Sequence, residues 1–156
     1  MFFNIIFWGL LGLAMVFAYQ ICVADFRRRI IPDAFLFPLM LIGLVLSVFY
    51  RWPVGITMGV IGAVFGYLMA AGIGFVFDWQ MRRKNPDIIA PIGMGDIKLI
   101  SIGGLWLGTT GLAIALIGAC FGGAIWARVK HVKYIPFAPF FVISGILALI
   151  IVRFLV

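Results

Sequence analysis

Residues 97–127, IKLISIGGLWLGTTGLAIALIGACFGGAIWA, decide how many times this chain crosses a membrane. A bilayer core of about 30 Å is crossed by a helix of roughly 20 residues, so this run is too long for one crossing and barely long enough for two. A turn is expected at 107–111, where glycine and threonine interrupt the apolar residues. We therefore predict helices over 96–108 and 109–127. One long bent helix is the alternative.

The remainder of the chain has the same apolar character. Its 156 residues are 65% hydrophobic and 11% charged, against about 45–50% and about 25% in soluble globular domains. Apolar runs bounded by charges, proline and glycine predict further spans at 3–24, 34–50, 54–77 and 138–156. The sequence thus predicts an all-α, polytopic integral membrane protein of about six transmembrane helices, with residues 1–156 forming a single transmembrane domain.

The net charge of +7 is distributed unevenly over the predicted loops. In a six-span arrangement, ten of the twelve basic residues lie on one side, which the positive-inside rule makes cytoplasmic. A five-span arrangement breaks this pattern. Because these residues flank apolar spans, we expect them to face lipid headgroups, with no nucleic-acid partner. The ten are Arg27, Arg28, Arg29, Arg82, Arg83, Lys84, Lys98, Arg128, Lys130 and Lys133, and Arg51 and Arg153 lie opposite.

Small residues and cysteines within the spans suggest packing roles. Glycine pairs at 55/59, 62/66 and 118/122 have the spacing that lets helices approach closely in lipid. We expect them to pack inside one bundle more than between two copies, and the oligomeric state stays open. Cys22 and Cys120 lie in apolar segments without a CxxC pattern, so they are expected to be packing residues.

Few residues are available for catalysis. The serines at 47, 101 and 144 lie within spans, and the topology puts Ser47 and His131 near opposite faces, which argues against a Ser/His site. A catalytic zinc needs about three His, Cys or carboxylate ligands, so we predict neither a metal nor another cofactor.

All five acidic residues are aspartates. Asp78 is expected to be an interfacial residue at the end of the third span, and Asp87 a turn residue after Asn85-Pro86. Asp33 follows a proline and precedes an apolar run, so it is predicted to be the N-cap of the second helix.

Asp25 and Asp96 are the stronger candidates, because carboxylates at membrane spans are costly and usually functional. Asp25 closes the first span and Asp96 opens the fourth, after Gly93 and Gly95, so the topology puts both at one face of the bundle. Two neighbouring carboxyl groups meet the needs of an aspartic protease, where one activates water and the other holds a proton. Helix caps or interfacial anchors are the alternative.

Three stretches resemble the type IV prepilin peptidases, bacterial members of the GxGD intramembrane aspartic proteases. Residues 93–99, GMGDIKL, resemble the signature GxGDxKL, and residues 25–33, DFRRRIIPD, resemble the first motif. Residues 135–140, IPFAPF, resemble a late PFGP element, with Ala138 in place of glycine. The resemblance implies that Asp25 and Asp96 are catalytic, and that the supporting residues are Asp33, Gly93, Gly95 and Lys98.

The resemblance also implies an activity and a location. It implies an aspartic endopeptidase that removes basic leader peptides from type IV prepilins or pseudopilins, at the cytoplasmic face of the bacterial inner membrane. The sequence lacks the paired CxxC segment linked to N-methylation in longer members, so a short form like those of tight-adherence (Flp) pilus systems is expected. Type IV pilus and type II secretion systems stay open as the setting.

The alternative to a peptidase is a non-enzymatic subunit, either an ion-coupled transporter or a pilus or secretion assembly component. Ion coupling is expected near the bilayer midplane.

Overall fold

The computed structural model describes residues 2–83, 92–131 and 135–155. Within these ranges the chain forms helices and no β-strand: α1 (Phe2–Arg28), α2 (Asp33–Val45) with a π-helical continuation (Leu46–Tyr50), α3 (Ile56–Arg82), α4 (Met94–Lys130) and α5 (Phe137–Leu155). The first four are long and apolar enough to cross a membrane, and α5 contains a shorter apolar helix, Phe137–Val152. The predicted all-α, multi-pass membrane protein is confirmed.

α4 is a helical hairpin. Gly108 breaks it with φ 65° and ψ −174°, a conformation that glycine alone adopts readily. A Cβ added at Gly66 of α3 would lie close to both Ile100 and Leu112, which would be about 18 Å apart along a straight helix. The first arm (94–107) and the second arm (109–130) therefore run back along each other. The turn predicted at 107–111 is confirmed, the single bent helix is wrong, and the described residues form six helical segments.

Glycines bring α3 against the first arm of α4, and the second arm against α5. A Cβ added at Gly59 would lie 2.7 Å from the Leu105 carbonyl oxygen, and one added at Gly62 would meet the Gly104 carbonyl. On the second arm, Gly118 and Gly122 face Ser144 and Phe140 of α5. The predicted packing within one bundle is confirmed at these glycines. A Cβ added at Gly55 would meet no other part of the described chain within 4 Å.

Several predicted features differ in detail. α1 and α3 continue to Arg28 and Arg82, beyond the predicted 24 and 77, because a helix does not end where its apolar run ends. Asp78 therefore lies inside α3, where Arg82 pairs with it at 2.8 Å one turn later.

The two cysteines differ in burial. Cys22 is partly buried, whereas Cys120 is exposed, so the packing role predicted for Cys120 within this chain is wrong. Lys84, Asp87 and Lys133 lie outside the described residues.

The helices alternate in direction and so define two ends of the bundle. The site end holds the ends of α1, α3 and the second arm, together with the starts of α2, α4 and α5. Of the ten basic residues predicted on one side, the eight that the structure describes lie at this end. At the opposite end, the Tyr50 hydroxyl donates to the Phe3 carbonyl at 2.8 Å, and Phe7 packs edge-on against Trp52.

Candidate active site

Asp25 lies in the last turn of α1 and is only 6% exposed. Its Oδ2 accepts a hydrogen bond of 2.8 Å from the backbone N–H of Ala138, in the first turn of α5. The leading N–H groups of a helix have no partner within the helix and carry partial positive charge. The N-terminus of α5 therefore holds the Asp25 carboxylate in place.

The sequence around Ala138 explains why this N–H is the donor. Pro136 and Pro139 have no backbone N–H, and Pro is tolerated in the first turn of a helix. Phe137 and Ala138 are thus the two donors that the segment 136–139 offers, and the Phe137 backbone also interacts with Asp25. Ala138 is fully buried. Residues 135–140 stand out in the sequence, but no role was predicted for them, because a backbone N–H donor cannot be recognised from the type of the residue.

Asp96 lies in the first turn of α4, after the cap residue Gly93. The backbone N–H groups of Asp96 and Ile97 donate to the Gly93 carbonyl at 3.1 and 3.3 Å. The Asp96 side chain turns back over the cap, so that a Cβ added at Gly93 would lie 3.1 Å from Oδ2. An acidic residue three positions after the cap commonly reaches back in this way. The helix N-terminus favours its negative charge.

The structure brings Asp25 and Asp96 together, although they are 71 residues apart in sequence. The two carboxyl groups lie close enough for the charge of Asp25 to influence the Asp96 carboxyl group. This is the arrangement in which one carboxylate can activate a water molecule while the other supplies a proton to a carbonyl oxygen. Oδ2 of Asp25 accepts the hydrogen bond from Ala138.

Asp33 has a different role from the predicted one. The cap position of α2 is Pro32, and no side chain caps this helix. Asp33 is the first helical residue, and its two oxygens accept hydrogen bonds of 2.8 and 2.6 Å from Nζ of Lys98 on α4. The predicted N-cap is wrong because Lys98 takes the carboxylate. This pair joins the start of α2 to α4, two residues after Asp96 in the chain.

Gly95 allows the segment between α1 and α2 to lie against α4. A Cβ added at Gly95 would be 2.9 Å from the Cβ of Ile31 and 3.4 Å from its carbonyl oxygen. Neither atom is the end of a flexible side chain, so the neighbouring chain would have to move. Gly93 and Gly95 therefore both lie at the candidate site, one under the Asp96 carboxyl group and the other under Ile31.

Ser47 and His131 are far apart, as predicted. Ser47 is buried in the π-helical turn at the opposite end, whereas His131 follows the second arm of α4 at the site end. Across the described ranges, no three His, Cys, Asp or Glu residues cluster so that they could hold a metal ion.

Comparison with known proteins gives consistent matches. Residues 10–128 match the type IV leader peptidase family. Proteins named prepilin leader peptidase/N-methyltransferase are similar: that of Dichelobacter nodosus is 30% identical over 86% of this chain, and that of Pseudomonas aeruginosa 29% over 92%. The protein of the same name from Aeromonas salmonicida is 32% identical over 92% of this chain. The chain spans about half the length of these relatives, 47, 47 and 50% respectively. No solved structure matches significantly.

Proposed function

The chain belongs to the type IV leader peptidase family, and from this membership we propose that residues 1–156 form a single transmembrane aspartic endopeptidase domain. Its substrates are prepilins or pseudopilins, from which it removes the leader peptide. The observation that carries the proposal is the meeting of Asp25 and Asp96 at the site end, with Asp25 held by the N-terminus of α5. The names of the similar proteins support the substrate class.

The proposed reaction is hydrolysis of one peptide bond. One carboxylate takes a proton from a water molecule as the water attacks the scissile carbonyl carbon, and the protonated partner donates to the carbonyl oxygen. Collapse of the tetrahedral intermediate breaks the C–N bond, with a proton returned to the leaving amine. Gly93, Gly95, Asp33 and Lys98 support the geometry of the pair without touching the reacting atoms.

We place the site end at the cytoplasmic face of a bacterial inner membrane. This placement is supported by the positive-inside rule, since eight described basic residues lie at the site end and Arg51 lies opposite. The position of both acids also favours the peptidase over an ion-coupled subunit. Asp25 and Asp96 lie in terminal turns of their helices, whereas coupling sites are expected near the midplane.

The test replaces each carboxyl group by an amide of nearly the same volume. Asp25→Asn and Asp96→Asn should each lower cleavage of a prepilin in liposomes by at least about 100-fold, because each removes a proton-transfer group. Asp78→Asn is the matched control, since Asp78 pairs with Arg82 inside one helix, and it should leave the rate unchanged. Cleavage by Asp25→Asn at the unmodified rate would falsify the proposal.

A further inference from the structure

The two carboxyl groups lie on helices that scarcely contact each other. Among the described residues, α1 packs mainly on α2 and α5, and α4 packs mainly on α3 and α5, with a smaller contact to α2. Phe26 of α1 packs against Trp126 on the second arm of α4, but extensive packing of α1 on the first arm, which carries Asp96, does not set the distance between Asp25 and Asp96. Both α2 and α5 contact α1 as well as α4, so they relate the two helices, and at the site end these connections are the N-terminus of α5 and the start of α2 with the segment before it.

The segment from α1 to α2 is short and conformationally restricted. It comprises residues 29–32, between Arg28 at the end of α1 and Asp33 at the start of α2. Arg29 has a left-handed conformation with φ 55°, and its N–H donates to the Asp25 carbonyl at 3.0 Å. Pro32 restricts the backbone at the other end. A movement of this segment is therefore transmitted to the last turn of α1, which carries Asp25.

This segment and the first residue of α2 contact the first turns of α4, before and after Asp96 in the chain. Ile31 lies against Gly95, the residue before Asp96, and Asp33 pairs with Lys98, two residues after it. Nζ of Lys98 lies 2.6 and 2.8 Å from the two carboxylate oxygens. Both side chains are partly exposed, 41% for Lys98 and 51% for Asp33, so this pair contributes little to global stability.

We propose that these two contacts, Asp33 with Lys98 and Ile31 with Gly95, form a clamp that sets the separation of the Asp25 and Asp96 carboxyl groups. Asp33 and Lys98 are positioning residues: they act on the reaction through the placement of α1 relative to α4. The inference rests on the proposed function. A misplacement of about 1 Å can cost an enzyme about 100-fold in rate, so a contact with little effect on folding has a large effect on turnover.

The test reverses the charges of the pair, singly and together. Asp33→Lys and Lys98→Asp should each lower kcat roughly tenfold or more, with KM changed less than about twofold, since substrate binding is preserved. The double variant Asp33→Lys/Lys98→Asp restores an ion pair between α2 and α4, and it should recover most of the lost kcat. A pair that only stabilised the fold would lower the amount of folded protein in the single variants and leave kcat per folded molecule unchanged, so kcat is measured relative to the folded protein.

The matched control is the other described ion pair. Asp78 and Arg82 are also partly exposed and also 2.8 Å apart, but both lie on α3. The exchange Asp78→Arg/Arg82→Asp and its two single variants should leave kcat unchanged. Loss of kcat in these variants comparable to that of Asp33→Lys would show a general response to charge at the site end, and would overturn the clamp.

Two milder variants test the clamp if the charge reversals fail to accumulate in the membrane. Asp33→Asn keeps an acceptor for Lys98 and should retain substantial activity, with a smaller loss than Asp33→Lys. Gly95→Ala adds a Cβ 2.9 Å from that of Ile31, so it should displace the segment and lower kcat with KM preserved. Full kcat in both variants would overturn the clamp.

Asp25→Asn, measured in parallel, separates the two proposals. An inactive Asp25→Asn together with fully active Asp33→Lys and Lys98→Asp rejects the clamp and leaves the peptidase standing. A fully active Asp25→Asn rejects both. The clamp is also rejected if Asp33→Lys, Lys98→Asp and the double variant are all equally slow. The restored ion pair would then have no effect on kcat.

Discussion

Ala138 contributes to the candidate site through its backbone N–H, which donates a hydrogen bond to Asp25, 113 positions earlier in the chain. The Asp25 carboxylate is almost completely buried, and a buried charged group without its hydrogen bond costs about 1–3 kcal/mol or more. The small Ala138 side chain is fully buried, which lets the first turn of α5 approach α1. The identity of residue 138 matters for two reasons: it must have an N–H, and it must be small.

Ala138→Pro should separate these two requirements. Proline removes the N–H while its φ remains compatible with the first turn of a helix, so Asp25 loses its donor. We expect cleavage to fall about 10- to 100-fold, the equivalent of one hydrogen bond to a charged group. Ala138→Val is the control, because it adds similar volume and keeps the N–H. Equal losses in the two variants would mean that crowding, and not the hydrogen bond, is responsible.

The elements of this fold were largely predictable, and their contacts were not. Apolar runs predicted every helix, and glycine at 108 marked the hairpin turn. Helix lengths were underestimated at Asp25 and Asp78, because charged residues that end an apolar run can still belong to the last turns of a helix. The role of Asp33 was missed for another reason. Its choice between capping α2 and pairing with another helix depends on Lys98, 65 residues away, and no local pattern contains that information.

The contact between α3 and the first arm of α4 gives a prediction about stability. A Cβ at Gly62 would meet the Gly104 carbonyl and lie 2.9 Å from the Gly108 Cα. These are backbone atoms that no rotamer change can move. We expect Gly62→Ala to lower the free energy of unfolding in detergent by about 1–3 kcal/mol. Gly72→Ala on the same helix, where no atom lies within 4 Å, should be neutral or slightly stabilising. Equal unfolding free energies for both variants would contradict the packing.

At the scale of the whole molecule, the dominant feature is the unequal charge of the two ends. The protein carries a net charge of +7, and its described basic residues concentrate around the two acids. Such a surface does not attract a basic leader peptide. Anionic lipid headgroups attract it at about 1 kcal/mol per leader Lys or Arg. We therefore expect the membrane, more than the enzyme's loops, to concentrate the leader at the site.

Cleavage in liposomes of different charge tests this expectation. At matched subsaturating substrate, the rate should be higher in anionic than in neutral liposomes, and the difference should shrink as salt screens the headgroups. A substrate whose leader Lys and Arg residues are replaced by Gln is the control, and its rate should not depend on lipid charge. Equal rates for the basic leader in both lipids would show that the headgroups do not concentrate it.

The break at Gly108 also determines at which end of the bundle α5 begins. α1 begins at the end of the bundle opposite the site, and each helical segment carries the chain to the other end. The chain therefore reaches the site end after an odd number of segments. With the reversal at Gly108, five segments precede α5, which therefore starts beside the end of α1, where its first N–H groups reach Asp25. Without it, four would precede α5, and Ala138 would lie a full bilayer thickness from the carboxylate that it binds. One glycine without a Cβ thereby determines whether the last helix can take part in the site at all.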